Sequence, residues 1–286
     1  MTGQPQVFIL TYCRKKEYFY GTELVFKTLR VGFPNAAVTV VDNASISEVQ
    51  SEITSLARKN DCEFRQLPGR GLAHHEFLET TIRDAATRGR EVGPVVFLDP
   101  DVCLWEACED FEFDGLLAGK LVSAHYDART STVTMPRLHT SFLWITDAAG
   151  LWEAIRKVRL RHFDFHPFLS ASFAMDGKWY RYDTGAGLVN ALFQVVTPFS
   201  EEHLNRYDHI FGGSHLDWLV PMLTEEHKAM LVQFHQWARE GNLEALRGIR
   251  RWQDAVWKDG GGLAVGYAPP PRFAFEQSGG GHTNGR

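Results

Sequence analysis

The chain has 286 residues, 44% of them hydrophobic, and a formal net charge of −5 from 30 basic and 35 acidic side chains. Such a balance suits a globular enzyme and excludes the strongly basic surface of a nucleic-acid binder. No apolar run approaches the roughly 20 residues that span a bilayer, and the N-terminus shows no charged region and cleavage site of a signal peptide.

Gln6 to Leu10 is a buried-strand candidate, with Val, Phe and Ile together. Glu17 to Leu29 is predicted as a helix with Leu24, Val25 and Leu29 on one side. After a Gly32, Pro34, Asn35 turn, Ala37 to Val41 predicts a second strand that ends in Asp42-Asn43-Ala44-Ser45. Ser47 to Lys59 is predicted as a helix and Glu63 to Leu67 as a short strand. This alternation predicts a largely parallel α/β sheet with right-handed crossovers. Leu72 to Arg88 reads as a further helix, opened by Ala73-His74-His75-Glu76; two adjacent histidines cannot share a helical face, so they are a poor metal pair and are read as structural or surface residues.

Val95 to Leu98 is a short run buried on all sides, followed by Asp99-Pro100-Asp101. Its place after three strand–helix units puts it in the middle of a wound sheet. Ligands of open α/β sheets sit beyond the carboxyl ends of the strands. Two acids spaced one residue apart at such an end are placed to hold Mg²⁺ or Mn²⁺, with a diphosphate completing the shell. The other reading is an ordinary Asp-Pro turn.

The second half is less regular. Leu121 to Ala124 and Thr132 to Thr134 are predicted strands, and Arg137 to Asp147 contains another, with Asp147 capping a helix to about Arg159. Arg161 to Trp179 is predicted as a long loop with short helices, Arg181 to Phe193 as a turn leading into a helix, and Gln194 to Thr197 as a strand. His209 to Trp218 reads as a glycine-broken loop. Thr224 to Trp257 is predicted helical with a break at Gly241; its Arg and Trp residues either lie on an anionic membrane or pack on the domain. The tail from Asp259 is rich in Gly and Pro and is expected to be loosely ordered. Cys13, Cys62, Cys103 and Cys108 form no C-x-x-C pair, which suits reduced thiols. The organisation expected is a catalytic domain over 1–223, a helical segment over 224–258 packed on it, and a flexible tail over 259–286.

The strand end at Thr11-Tyr12, the VVDNAS segment around Asp42 and the FLDPDV segment together resemble a GT-A-fold glycosyltransferase, similar to the bacterial family 2 enzymes. The resemblance implies a GT-A-like (Rossmann-like) α/β fold with a mixed, mostly parallel sheet flanked by helices and a C-terminal helical segment. It implies that Thr11, Tyr12 and Asp42 contact uracil and ribose or an equivalent nucleoside; Asp42 reads equally as a turn or cap residue. The family's D-x-D motif falls on Asp99 and Asp101, the second binding the metal and the first lying nearer the ribose. HIFGGSHLDW is similar to a metal-binding H-x-x-G segment of some GT-A transferases. On that likeness His209 is a third metal ligand, His215 approaches the donor phosphates, and Gly212, Gly213 and Ser214 offer backbone N–H groups.

The usual acidic marker of an inverting base is not obvious; Asp183 in YDTG is the nearest candidate and reads equally as a helix cap. Trp144, Phe163, Phe165, Trp179 and Tyr180 are candidates to line an acceptor site, or else belong to the core. The expected activity is a Mn²⁺- or Mg²⁺-dependent transfer from a nucleotide sugar, UDP-sugar first, to a carbohydrate or other hydroxyl acceptor, in the cytoplasm or at the inner face of the membrane. Two other classes fit parts of the pattern: a haloacid-dehalogenase-type phosphatase using Asp99 and Asp101, and a non-catalytic nucleotide- or carbohydrate-binding module.

Overall fold

Strand and helix alternate through the first half of the computed structural model, which describes residues 3–69, 71–88, 93–128, 130–161, 171–210 and 225–248. Strands β1 (Gln6–Thr11), β2 (Ala37–Asp42), β3 (Glu63–Gln66) and β4 (Val95–Leu98) are separated by helices α1 (Phe19–Gly32), α2 (Ser47–Lys59) and α3 (His74–Thr87). β1 pairs in parallel with both β2 and β4, and β2 with β3, so all four carboxyl ends share one edge. The helix expected from Glu17 begins as a 3-10 turn at Lys16–Tyr18 and continues to Gly32, where Phe33 N–H donates to the Leu29 carbonyl ahead of Pro34.

The rest of the sheet is completed from the second half. β5 (Val102–Leu104) turns away from it, β6 (Leu117–Val122) and β9 (Arg137–Ile145) join it, and β12 (Val196–Pro198) closes its edge. The order is β12-β6-β9-β4-β1-β2-β3, with β4 in the centre and β9 antiparallel to both of its neighbours. A second sheet has the order β10-β11-β8-β7, from β7 (His125–Asp127), β8 (Thr132–Thr134), β10 (Ala171–Met175) and β11 (Lys178–Tyr182). β13 (Tyr207–His209) pairs antiparallel with β5. Helices α4 (Ala148–Arg161), α5 (Ala186–Leu192) and α6 (Glu201–Asn205) connect these strands.

Three expectations are corrected here. The loop expected up to Trp179 holds the β10–β11 hairpin, turned by Asp176 and Gly177 with φ of 51° and 72°. Two consecutive positive φ values are the signature of a tight hairpin turn, and Asp-Gly is the pair that adopts it most readily. The strand expected from Leu121 to Ala124 is instead the end of β6, which stops at Val122. His209, expected in a loop, closes strand β13.

Strand alternation divides the core. Val7, Ile9, Val96, Leu98, Phe142 and Trp144 face α1 and α2; Phe8, Leu10, Val95, Phe97, Leu143 and Ile145 face α3 and α4. A strand covered on both faces reads as a continuous apolar run, which is why VVFL has no polar partner positions. Each fully buried side chain of this size contributes about 1.5–3 kcal/mol. Trp144, a candidate for the acceptor site, is therefore core, and Tyr180 is also buried; Trp179 stays 52% exposed. Phe163 and Phe165 lie outside the described residues.

A third cluster joins Tyr20, Leu24, Cys103 and Trp105 to helices α7 (Glu225–Glu240) and α8 (Leu243–Gly248) through Leu231, Phe234, Ala238 and Leu246. The Tyr20 hydroxyl and His235 Nδ1 share a buried hydrogen bond, and the Arg239 guanidinium lies 5.0 Å above the Tyr20 ring. Gly241, at φ 67°, makes the break between the two helices. No helix among the described residues is long and apolar enough to cross a membrane.

α1 lies close to β5 because it carries glycine there. A Cβ on Gly32 would sit 2.7 to 3.0 Å from three side-chain atoms of Leu104, including Leu104 Cβ. Gly32→Ala should therefore lose about 1–3 kcal/mol through overpacking, despite the better helix propensity of alanine. Gly248→Ala, where nothing lies within 4 Å, should be near neutral, and urea denaturation of the two variants checks the contrast.

Candidate metal centre

The two acids sit on a turn that is fixed at both ends. Asp99 N–H donates to the Ser141 carbonyl at 2.9 Å, and Val102 N–H donates to the Asp99 carbonyl at 3.3 Å. The chain then enters β5, where the β13 register sets His209 opposite Val102, and Ile210 N–H donates to the Asp101 carbonyl at 2.9 Å. That pairing brings His209 Nε2 to 3.0 Å from Asp101 Oδ1. One ligand atom each from Asp99, Asp101 and His209 lies within 4.8 Å of the others. Gly21 of α1 lets the helix approach: a Cβ there would be 3.3 Å from Asp101 Cβ.

The electrostatics are those of acids gathered where charge is expensive. Burial foremost, with the Asp101 charge, raises the Asp99 pKa, while His74 and His209 oppose that rise. Burial would lower the His209 pKa, but the charge and hydrogen bond of Asp101, with Asp99, outweigh it and raise it. His139 moves the other way: burial lowers its pKa, and His209, Arg137, Lys120 and His74 add to that. His209 Nδ1 is buried and has no hydrogen-bond partner among the described residues, and the ring addresses the acids through Nε2.

This donor set fits a divalent cation. Carboxylate oxygens with one imidazole suit Mn²⁺ or Mg²⁺, whose ligands lie about 2.1 Å from the ion and so about 3–4 Å from one another. A cluster within 4.8 Å closes to that spacing by small side-chain movements.

The residues expected at the nucleoside are grouped at the ends of β1 and β2. Thr11 Oγ1 donates to Asp42 Oδ1 at 3.1 Å, and Asp42 Oδ2 accepts from Ser45 N–H at 3.2 Å and Gln50 Nε2 at 3.1 Å. Thr11 and Asp42 are fully buried, so Asp42 acts as a turn residue that also holds α2. Tyr12 is 47% exposed, with the Arg14 guanidinium 4.9 Å over its ring.

Asp183 does not cap α5; that position belongs to Gly185, at φ 86°. Its Oδ1 accepts from Thr184 N–H at 2.9 Å, and its Oδ2 lies 3.5 Å from Arg137 Nη2. His215, with Gly212, Gly213 and Ser214, lies outside the described residues.

Sequence reasoning missed two histidines. His74, read as a structural or surface residue, lies with Nε2 3.9 Å from Asp99 Oδ1. It is carried there by a clasp in which Asn43 Nδ2 donates to the Leu72 carbonyl at 2.7 Å and Leu72 N–H donates to Asn43 Oδ1 at 2.6 Å. Gly71, at φ 77°, passes so close that a Cβ would be 2.3 Å from Asn43 Oδ1. His139 lies beside His209, its ring tilted 57° to it with centroids 5.0 Å apart. The signal available for His139 was the Arg137, His139, Ser141 polar alternation inside an apolar strand.

The His209 shift sets a pH dependence. Protonated imidazole cannot bind metal, and its pKa lies above the usual value near 6.5. Mn²⁺ affinity should therefore already be falling before pH has dropped to about 6.5, by about tenfold per unit once below the His209 pKa. Calorimetric Mn²⁺ titrations at several pH values check this, and His209→Ala should flatten the profile.

No protein family profile matches the chain, and no curated protein matches it. Among solved structures it is similar to the bifunctional glycosyltransferase WbbM in its apo form, at 13% identity over 84% of this chain and 44% of that one, with a TM-score of 0.47. It is similar to the galactosyltransferase LgtC bound to donor and acceptor sugar analogues, at 11% identity over 68% of this chain and 72% of that one, TM-score 0.38. It is also similar to apo GlyE from Streptococcus pneumoniae TIGR4, at 13% identity over 71% and 46%, TM-score 0.41. The chain thus spans less than half of the WbbM and GlyE chains. These three solved structures are glycosyltransferases, and at this level the likeness transfers no chemistry to the residues of this chain.

Proposed function

We propose that the chain is a glycosyltransferase that moves a sugar from a nucleotide-sugar donor, UDP-sugar first, to a hydroxyl acceptor, with Mn²⁺ or Mg²⁺ held by Asp99, Asp101 and His209. The observation that carries this reading is the convergence of those three side chains at the carboxyl end of the central strand β4. A divalent cation at that place offers Lewis-acid help to a departing diphosphate.

The chain's own groups divide the remaining work. Tyr12 presents an exposed ring at the end of β1, which suits the face of a base. Thr11 and Asp42 support that surface from beneath; a direct contact from Asp42 requires Ser45 or Gln50 to release its carboxylate. Lys120 and Arg137 supply positive charge around His139, beside the metal ligand His209, as a dianionic leaving group requires. His215 belongs to the same reading as a diphosphate contact. Asp183, held by Arg137, takes the acceptor proton if transfer inverts configuration and orients the sugar if it retains it. A cytoplasmic site of action belongs to the same reading.

The test pairs binding with turnover. UDP and UDP-sugars should raise the melting temperature in Mn²⁺ and not in chelator. Asp101→Asn should reduce UDP release from the donor by at least about a hundredfold, through the lost metal charge at the leaving group, with little change in unfolding. Undiminished transfer in chelator overturns the metal role. Hydrolysis of p-nitrophenyl phosphate that Asp99→Asn abolishes, with no use of UDP-sugars, establishes the phosphatase reading instead.

A further inference from the structure

Tyr12 stands on a fixed footing. The Thr11 carbonyl accepts the Asn43 amide at 2.8 Å, Cys13 N–H donates to Ser45 Oγ at 2.9 Å, and the Cys13 carbonyl accepts the Ile46 amide at 3.0 Å. The residues on either side of Tyr12 are thus tied to the segment after β2 and buried, while Tyr12 itself is turned outward and 47% exposed. β1 pairs with β4 as far as Ile9 and Leu98, so the ring stands at the same sheet edge as the Asp99–Asp101 turn.

Arg14 is held far more loosely. Its side chain is exposed, and its guanidinium lies 4.9 Å over the Tyr12 ring. A cation–π contact at an exposed site is worth only about two- to fivefold in an equilibrium, whereas a base stacked on an aromatic ring is worth about five- to a hundredfold. A base therefore displaces the guanidinium from the ring. Two stacked layers at about 3.5 Å each need about 7 Å. Against the 4.9 Å now present, the guanidinium has to lift by about 2 Å. It is flat and weakly hydrated, and so stacks well on the face of a base. In the desolvated space over a base the same kind of contact is worth about thirtyfold. Closing on the base thus outweighs the contact given up by about six- to fifteenfold.

We propose that Arg14 is a nucleobase clamp: the base of the donor enters between Tyr12 and Arg14, and the guanidinium closes on its outer face. The role rests on the nucleotide-sugar reading above. A clamp of this kind touches the face of the base and none of its edges, so it adds affinity without selecting uracil.

The experiment compares UDP with pyrophosphate by calorimetry in Mn²⁺, on the full chain. Arg14→Ala should bind pyrophosphate within about twofold of the parent and UDP about five- to fifteenfold more weakly. Arg14→Trp, which keeps a flat stacking group, should recover most of that loss, and UDP but not pyrophosphate should quench the emission it adds to that of the parent. Equal weakening of UDP and pyrophosphate makes Arg14 a phosphate contact and overturns the clamp. Unchanged or tighter UDP binding overturns it too, as does a loss that Arg14→Trp leaves in place. Unchanged pyrophosphate binding shows that the variants are folded. A parent chain that binds Mn²⁺ and pyrophosphate but not UDP overturns the nucleotide reading itself, and this role with it.

Discussion

The pairing of β13 with β5 is the constraint on which the site depends. Asp99 and Asp101 are local to one turn, but His209 comes from more than a hundred residues further along the chain. Backbone hydrogen bonds bring it in: the β5–β13 register and the Ile210 amide on the Asp101 carbonyl fix where His209 stands before any side chain interacts. Buried neighbours hold this small ladder. The Trp105 indole donates to Asp208 Oδ2 at 2.7 Å, and Thr28 Oγ1 accepts the Leu104 amide at 3.0 Å.

A second constraint is charge. Burial and the Asp101 charge oppose the ionisation of Asp99, and His74 and His209 act against that rise. The same basic groups lower the pKa of His139, so the site holds imidazoles shifted in opposite directions. An acidic pair flanked by basic side chains can hold a cation on one side and an anion on the other, which is the arrangement of a metal–diphosphate pair.

Strands β1, β2 and β4 and the first three helices were legible because their signals are local: strands rich in Val, Ile, Phe and Leu, with helices whose apolar residues recur at helical spacing. Asp99 and Asp101 were legible for the same reason. His209 was reached only through the likeness of HIFGG to a known segment, since nothing in its neighbourhood states that it lies beside Val102. His74 and His139 were not legible as site residues because their places depend on the Asn43 clasp and on β9 inserting antiparallel beside β4. The β10–β11 hairpin carried a local signal in Asp176-Gly177, obscured by the aromatic and charged residues around it. Trp144 was read as a possible sugar platform, whereas its alternation with Phe142 on one face of β9 marks it as core.

Helix α1 joins two regions that are distant in sequence. Gly21 rests on Asp101, and the adjacent Tyr20 is bound to His235 and covered by Arg239. The helix that flanks the metal turn is thus anchored from behind by α7. Removing that anchor would strand a phenol hydroxyl in an apolar setting and leave the first turn of α1 free to shift against the acids. The C-terminal helices thereby act as a brace, transmitting rigidity to a centre none of their described side chains is seen to touch.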